Sequence, residues 1–379
     1  MKILRISSDL YPHVVGGIGL HTHLLSEEQA KDGHEITLFT CLPENSAIEQ
    51  PTVPYTIINF GRKFQLFGNT FCLNMFWKLF RNRYCYDIID AHSHLFISTN
   101  LAAVVRRLGS SPLVITNHGL HSQAVPAWFQ EIYLKTIGRF TFNSADRIIT
   151  FTEREKEDMI SVGVKPEKIV IIPNGVDTEK FHPVVSPEPH PFTVIWVGRL
   201  AAGKGLKYAI LGFEKFLQSV PSALMYVVGD GPYLDAAREY VVEKGLAESI
   251  IFTGRVENDE MISYYARSSV YLMTSMSEGM PRTLLEAMAC GLPVVCTDIP
   301  QLVPIIEVGG IVIQKRDVEG VAESLGSLCV NKQLCKYYSM NALSYVIDNL
   351  SLKLMQDRTR NLYSQIQDIG NNLSTKKVK

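Results

Sequence analysis

Two carboxylates, Glu278 and Glu286, stand in the segment SEGMPRTLLEAMACGLPVV, residues 277–295. Pro281 suits the first position of a helix and Gly291 its C-terminal cap. A helix so placed begins with the outward-facing amides of the stretch from Gly279 through Met280, Thr283 and Leu284, and such an N-terminus favours anions and hydroxyl oxygens. Glu278 then sits at the helix mouth and Glu286 just over one turn inside it. That separation suits two hydroxyl-bearing parts of one ligand, such as a sugar and a ribose. The same pair also reads as a capping glutamate followed by a solvated helical one.

A second candidate is GRLAAGKG, residues 198–205, in which Arg199 and Lys204 flank a turn of small residues. Two cations there can neutralise a diphosphate leaving group in place of a bound metal; a surface turn with two solvated cations is the plainer alternative. The segment nearly matches the phosphate loop GxxxxGK[ST]. Gly205, however, stands where the magnesium-binding hydroxyl is needed, which argues against an ATPase. A third is YPHVVGGIGLHTHLL, residues 11–25, where Gly16 and Gly17 let backbone amides approach phosphate, or simply make a tight turn. It is not GxGxxG, and GDGP at 229–232 is only GxG, so a nicotinamide cofactor has weak support. Histidines gather in the first half: His21, His23, His92, His94, His118 and His121. His92, His94 and His118 follow strands, where a histidine can touch ligand or serve structure. No HExxH or GxSxG occurs, so a zinc hydrolase and an esterase are both unsupported.

These loops need strands and helices to hold them. Strand patterns fall at Ile3–Ser7, Glu35–Phe39, Ile88–Asp90, Leu113–Thr116, Arg147–Phe151 and Ile169–Ile172, then at Thr193–Val197, Ala223–Val228, Ile250–Thr253, Val270–Met273 and Pro293–Cys296. Between them run helical patterns; Leu206, Ala209, Ile210, Phe213, Phe216 and Leu217 make one apolar stripe. Alternation of this kind predicts right-handed βαβ units and two parallel, doubly wound sheets. HPVVSPEPHP, residues 182–191, reads as the linker between them, with a cleft formed by the two domains. In such sheets ligands gather beyond the carboxyl ends of strands, where all three candidate loops fall. A closing helix is expected over Leu350–Gln367.

The 379 residues suffice for two domains, with 46% hydrophobic and 20% charged residues. A net charge of −1 gives no case for a nucleic-acid partner. Seven scattered cysteines without CxxC spacing fit reduced thiols. KILRISSDL reads as a strand rather than a signal peptide, and no apolar run is long enough to span a bilayer. The expected location is the cytoplasm.

With these segments in this order, the chain resembles the retaining glycosyltransferases of family 4, which have the GT-B fold. The likeness spans about residues 1–365 and is most specific at the E-x7-E motif of Glu278 and Glu286. GRLAAGKG, IPNGVDTEKFHP (172–183), the GGIG turn and FTGRVENDEM (252–261) support it. The resemblance implies an N-terminal acceptor-binding domain over 1–180, joined by a returning helix at about 350–379, and a nucleotide-sugar-binding domain over 181–349. It implies a uridine- or guanosine-diphosphate sugar as donor, with no cofactor and no metal. Arg199 and Lys204 would hold the diphosphate with the amides of Gly16 and Gly17. Glu286 would bind the ribose and Val256 would lie near the base. Glu278, with the segment Gly279–Met280–Pro281, would orient sugar hydroxyls, and His118 would sit beside the reacting sugar. One departure is IIEVGGIVI, where the turn after Glu307 is shortened.

The acceptor class stays open between a glycan, a lipid-linked molecule and a small molecule. Residues 51–86 carry Arg62, Lys63, Lys78, Arg81 and Arg83 with no acidic residue, and Leu73, Phe76, Trp77 and Phe80 share a helical face. Residues 60–86 therefore suit peripheral contact with an anionic membrane at its inner face, or packing of that apolar face in the core. A GT-B nucleotide-sugar epimerase and a non-catalytic sugar-nucleotide-binding protein are the rival readings.

Overall fold

Strands buried on both faces of a parallel sheet must be apolar nearly throughout. Ile3, Leu4 and Ile6 in the first sheet, and Val194, Ile195 and Trp196 in the second, are all buried accordingly. The computed structural model describes residues 1–8, 10–11, 17–42, 53–61, 65–66, 69–70, 73–120, 126–184 and 191–376. It divides into two units, Met1–Pro173 with Met355–Lys379, and Asn174–Leu354.

The first unit contains β1 (Lys2–Ile6), α1 (Gly17–Lys31), β2 (Glu35–Thr40), β3 (Thr56–Asn59), β4 (Gln65–Leu66), β5 (Asn69–Thr70), α2 (Leu73–Arg81), β6 (Ile88–His92) and α3 (Ile97–Arg107). It continues through β7 (Leu113–Thr116), α4 (Ala127–Tyr133), one π-helical turn (Leu134–Gly138), α5 (Arg139–Ser144), β8 (Arg147–Thr150), α6 (Glu153–Ser161) and β9 (Ile169–Ile171). Its main sheet is parallel in the order β3-β2-β1-β6-β7-β8-β9; β4 and β5 form a separate antiparallel pair. The second unit contains β10 (Thr193–Val197), α7 (Leu206–Leu217), β11 (Leu224–Val228), α8 (Leu234–Glu243), β12 (Ile250–Gly254), α9 (Met261–Ala266), β13 (Val270–Met273), α10 (Arg282–Ala289), β14 (Val294–Thr297), α11 (Val303–Gly309) and β15 (Gly310–Ile313). After α12 (Val318–Val330) and α13 (Lys332–Asn349), α14 (Leu352–Lys376) belongs to the first unit from Met355 onward. The second sheet is parallel in the order β12-β11-β10-β13-β14-β15. In both sheets the strand order reverses beside the first strand, the position where doubly wound sheets open a crevice.

Two expectations change, and one departure finds its cause. The division falls at Pro173–Asn174, not in the proline-rich segment 182–191, of which 185–190 lie outside the described residues. Residues 174–181 already pack in the second unit: Val176 and Phe181 are buried, and Val176 bridges Ser351. In α2, Met75 and Leu79 join the first unit's core, with Phe76 and Phe80 packed against it. The helical face offered to a membrane is thus largely spent on the core, and Trp77 remains exposed. Arg62 and Lys63 lie outside the described residues. Finally, α11 runs straight into β15, which explains the shortened turn after Glu307.

Candidate active site

At the switch point of the second sheet, the loop after β10 meets the loop after β13. Gly205 makes the junction. It has φ +68°, and a Cβ built there would lie 2.0 Å from the Thr274 carbonyl oxygen. Only glycine fits, which is the physical reason that the phosphate-loop hydroxyl is absent from this position. Thr274 Oγ1 donates to the Gly205 carbonyl (2.9 Å), Trp196 Nε1 donates to Thr274 Oγ1 (3.2 Å), and the Met276 amide donates to the Gly203 carbonyl (2.8 Å). Stitched this way, the loops bring Lys204 Nζ to 2.5 Å from Glu278 Oε1 in a half-buried pair. Gln301 Nε2 donates to the Glu278 carbonyl. Arg199, on the same loop as Lys204, is exposed. The GDGP turn supports this loop: a Cβ at Gly229 would lie 2.0 Å from the Gly198 carbonyl oxygen, so those glycines serve close backbone packing.

Pro281 is the N-cap of α10, with extended backbone (ψ 127°), one position before the first helical residue. Gly291 follows the C-cap at φ +74°, as its sequence position predicts. The start of α10 is held by the Asn174–Gly175 turn: Asn174 Nδ2 donates to the Met280 carbonyl (3.2 Å) and Arg282 Nη1 to the Gly175 carbonyl (3.2 Å). Gly279 is half-buried, while the side chains of Met280 and Leu284 are buried, leaving Leu284 only its amide for a ligand. Thr283 Oγ1 bonds the Tyr271 hydroxyl at 2.8 Å.

Glu286 lies deeper than a solvated helical glutamate, at 3% exposure. Tyr265 donates its hydroxyl to Glu286 Oε2 (3.1 Å), and Arg282 Nε stands 3.9 Å from Oε1. Burial pushes the Glu286 carboxyl up from its usual range, while Arg282 and Tyr265 pull it back. Val256, between β12 and α9, is half-buried. Arg282 and Tyr265 were not singled out from sequence. A cation directly after the capping proline of an otherwise apolar helix was the available signal, since buried arginine demands partners.

The first unit holds a second polar cluster at its own switch point. Asp90 and His92 lie in β6, Arg5 in β1, and His118 follows β7. Arg5 Nε donates to Asp90 Oδ2 (3.1 Å), His92 Nε2 lies 3.1 Å from the same oxygen, and His92 Nδ1 lies 3.1 Å from His118 Nε2. Arg5 also donates to Ser26 Oγ (2.7 Å) and Gln29 Oε1 (2.8 Å) on α1. Burial alone would raise the Asp90 carboxyl, but His92 and Arg5 outweigh it and hold it far below the carboxylate range. Burial, then the neighbouring His21 and His92, hold His118 well below the usual imidazole value. The His21 ring meets His118 edge-on at a centroid distance of 5.0 Å. Ring nitrogens of His21, His92 and His118 all lie within 4.8 Å of one another, close enough to share a metal ion. His94 Nδ1 pairs with the Asn117 side chain instead, at 2.9 Å. Gly17 opens α1, whereas Gly16 and His121 lie outside the described residues. Asp90 and Arg5 were missed in the sequence, although ionisable residues inside doubly buried strands were a legible warning.

Residues 15–180 match the family model described as Glycosyltransferase Family 4, and residues 177–344 match that described as Glycosyl transferases group 1. An uncharacterized glycosyltransferase of Methanocaldococcus jannaschii is 26% identical, covering 96% of this chain and 98% of its own length. The UDP-Gal:alpha-D-GlcNAc-diphosphoundecaprenol alpha-1,3-galactosyltransferase of Escherichia coli is also 26% identical, over 73% of this chain and 75% of its own. Among solved structures, Anabaena HepE in complex with UDP and glucose superposes with a TM-score of 0.79 at 21% identity, covering 96% of this chain and 99% of that one. That likeness is one of fold, the GT-B arrangement of two parallel-sheet α/β domains.

Proposed function

This chain belongs to the glycosyltransferases, its two halves matching the family 4 and group 1 models, and from that premise we propose that it moves a sugar from a nucleotide-diphosphate donor to an acceptor hydroxyl with retention and without a metal. The observation that carries the reading is the Lys204–Glu278 pair at the switch point of the second sheet. Lys204 and Arg199 supply the charge that a leaving diphosphate needs. Glu278 and the amides at the start of α10 suit sugar hydroxyls, and Glu286 Oε1 suits the ribose because Tyr265 occupies Oε2. The family resemblance assigns Val256 to the neighbourhood of the base and His118 to the reacting sugar. In the transfer the bond from the anomeric carbon to the diphosphate oxygen breaks with its electron pair on that oxygen. The acceptor oxygen bonds the same face of the carbon, and its proton passes to the departing diphosphate. The E. coli relative, which uses UDP-Gal and whose acceptor is diphosphoundecaprenol-linked, and HepE, crystallised with UDP, support a uridine-diphosphate donor, with guanosine kept as the second candidate.

A lipid-linked acceptor has a specific observation behind it. Trp128, Phe129, Ile132, Ile137 and Phe140 are exposed along the helical stretch Ala127–Ser144, beside exposed Lys135 and Arg139. Aromatic side chains with neighbouring cations suit the headgroup zone of an anionic bilayer. Among the described residues no helix is long and apolar enough to cross a membrane, so the contact proposed is peripheral. It uses this stretch rather than residues 60–86.

The test of the donor site is a thermal-shift panel with UDP, GDP and ADP. A nucleotide at a hundred times its Kd stabilises by about 2.7 kcal/mol. For a unit the size of Asn174–Leu354 that raises the melting transition by roughly 5–11 °C. No shift with any of the three sinks the reading; persistence of transfer in EDTA checks metal independence.

A further inference from the structure

We propose that Asp90 and His92 are positioning residues that hold His118 in the tautomer with its proton on Nε2, leaving Nδ1 as the ring atom that accepts a hydrogen bond from a sugar hydroxyl. This rests on the reading that His118 stands beside the reacting sugar.

The tautomer follows from counting protons along a chain of three contacts. An ionised carboxylate can only accept, so the His92 nitrogen 3.1 Å from Asp90 Oδ2 must carry a hydrogen. In a neutral imidazole the other nitrogen is then a bare lone pair. That atom, His92 Nδ1, faces His118 Nε2 at 3.1 Å, so His118 supplies the proton of this bond. The reversed arrangement needs His92 as an imidazolium. Arg5 and Asp90 are both fully buried and already neutralise each other, so a charged His92, itself fully buried, would leave one uncompensated buried cation among the described residues. Among the described residues, the other groups named beside the network are uncharged. Thr116 Oγ1 donates to Asp90 Oδ1 (3.3 Å), Ser26 and Gln29 accept from Arg5, the neutral Tyr363 of α14 sits beside both, and His21 lies against the two imidazoles. The network therefore decides what His118 can do. Its Nδ1 has a lone pair and no proton, so it recognises a hydroxyl that donates and cannot serve as a general acid through that atom.

The test uses the full chain labelled with 15N histidine, with His118→Ala to assign its ring resonances. The wild-type spectrum is expected to show a protonated Nε2 and an unprotonated Nδ1 for His118. In His92→Phe the Nε2 proton loses its acceptor. The tautomer preference is lost, and release of UDP from UDP-glucose or of GDP from GDP-mannose slows about a hundredfold in kcat, with KM changed less than threefold. His92→Gln, whose amide oxygen can still accept from Nε2–H, recovers a substantial part of the rate. A wild-type His118 protonated on Nδ1 overturns the proposal, as does a His92→Phe variant with parental tautomer and rate. So do ring resonances that move on adding stoichiometric zinc in the way direct coordination requires. Should His92→Phe not fold, the wild-type spectrum and His92→Gln still decide. If His118→Ala keeps full turnover, it is the placement of His118 at the sugar that fails; if His118→Ala is inactive while His92→Phe is normal, only the positioning role fails.

Discussion

Replacing Gly205 by serine completes the phosphate-loop pattern GxxxxGKS, and it should damage the protein rather than create a nucleotide hydrolase. The residue sits at φ +68°, where a side chain costs roughly 1–2 kcal/mol. The added Cβ would also lie 2.0 Å from the Thr274 carbonyl oxygen and 2.9 Å from its carbon, both fixed backbone atoms. Relieving that overlap pulls apart the Thr274–Gly205 and Met276–Gly203 hydrogen bonds, each worth about 1 kcal/mol. The combined loss is about 3–4 kcal/mol, which lowers the melting transition of a unit this size by roughly 6–16 °C. A control separates the two causes. Gly245 has the same φ of +68° but nothing within 4 Å of its Cβ, so Gly245→Ser should lose only the backbone contribution. Calorimetry of the full chain gives the transitions, and nucleotide release from a sugar donor reports on Lys204, whose displacement by about 1 Å costs about a hundredfold in rate. Equal melting of the two serine variants, or parental turnover by Gly205→Ser, refutes the reasoning.

Alanine at both Arg199 and Lys204 should lower kcat by about 10²–10³ per lost cation while leaving the melting transition of the empty protein nearly in place; full activity in the double variant would dismiss the donor site. Stability should fall as pH drops from 7.5 to 5.5. His118, His23 and His34 all bind protons less readily than the ordinary value of 6.5, chiefly through burial, so the unfolded chain takes up protons first. Urea midpoints at three pH values check this, and His118→Asn should flatten the slope; a midpoint that rises toward acid contradicts it. Flotation with anionic liposomes at low salt should carry the protein, and Trp128→Ser with Phe129→Ser should abolish it. Binding unaffected by that pair but lost on changing Trp77 would return the contact to residues 60–86.

Much of this architecture was legible because the physics was local. The stripe from Leu206 to Leu217 coincides with α7, since the apolar spacing and Gly205 at its cap both act within a few residues. The two strand series were read correctly to within a residue or two at most ends, as buried parallel strands advertise themselves in β-branched runs. The edge strand Thr56–Asn59 was not: four mostly half-exposed residues ending in asparagine carry no such signal. The proline-rich segment misled because composition marks where a chain cannot be regular, whereas the division is decided by what Val176 and Phe181 bury against. Lys204 and Glu278 were each visible as candidates. Their 2.5 Å contact was not, because it depends on Thr274 and Met276 tying one loop to another across seventy residues of chain. Glu286 was seen but its depth was not, since Tyr265 and Arg282 reach it only in the folded unit.

The Lys204–Glu278 pair also bears on how a product would leave. The cation already has an anion, so under the proposed function an arriving diphosphate would compete with a tethered carboxylate rather than meet a bare charge. Such a tethered competitor acts at an effective concentration set by the loops and not by the solvent. Under the same reading it would weaken the hold on diphosphate before the sugar bond breaks and again afterwards, when the spent nucleotide must depart. As the product dissociates, Glu278 can retake the ammonium group, sparing the site an unpaired charge. A reciprocal effect follows: removing the carboxylate would tighten retention of the spent nucleotide, making turnover slower through release as well as through lost orientation of the sugar.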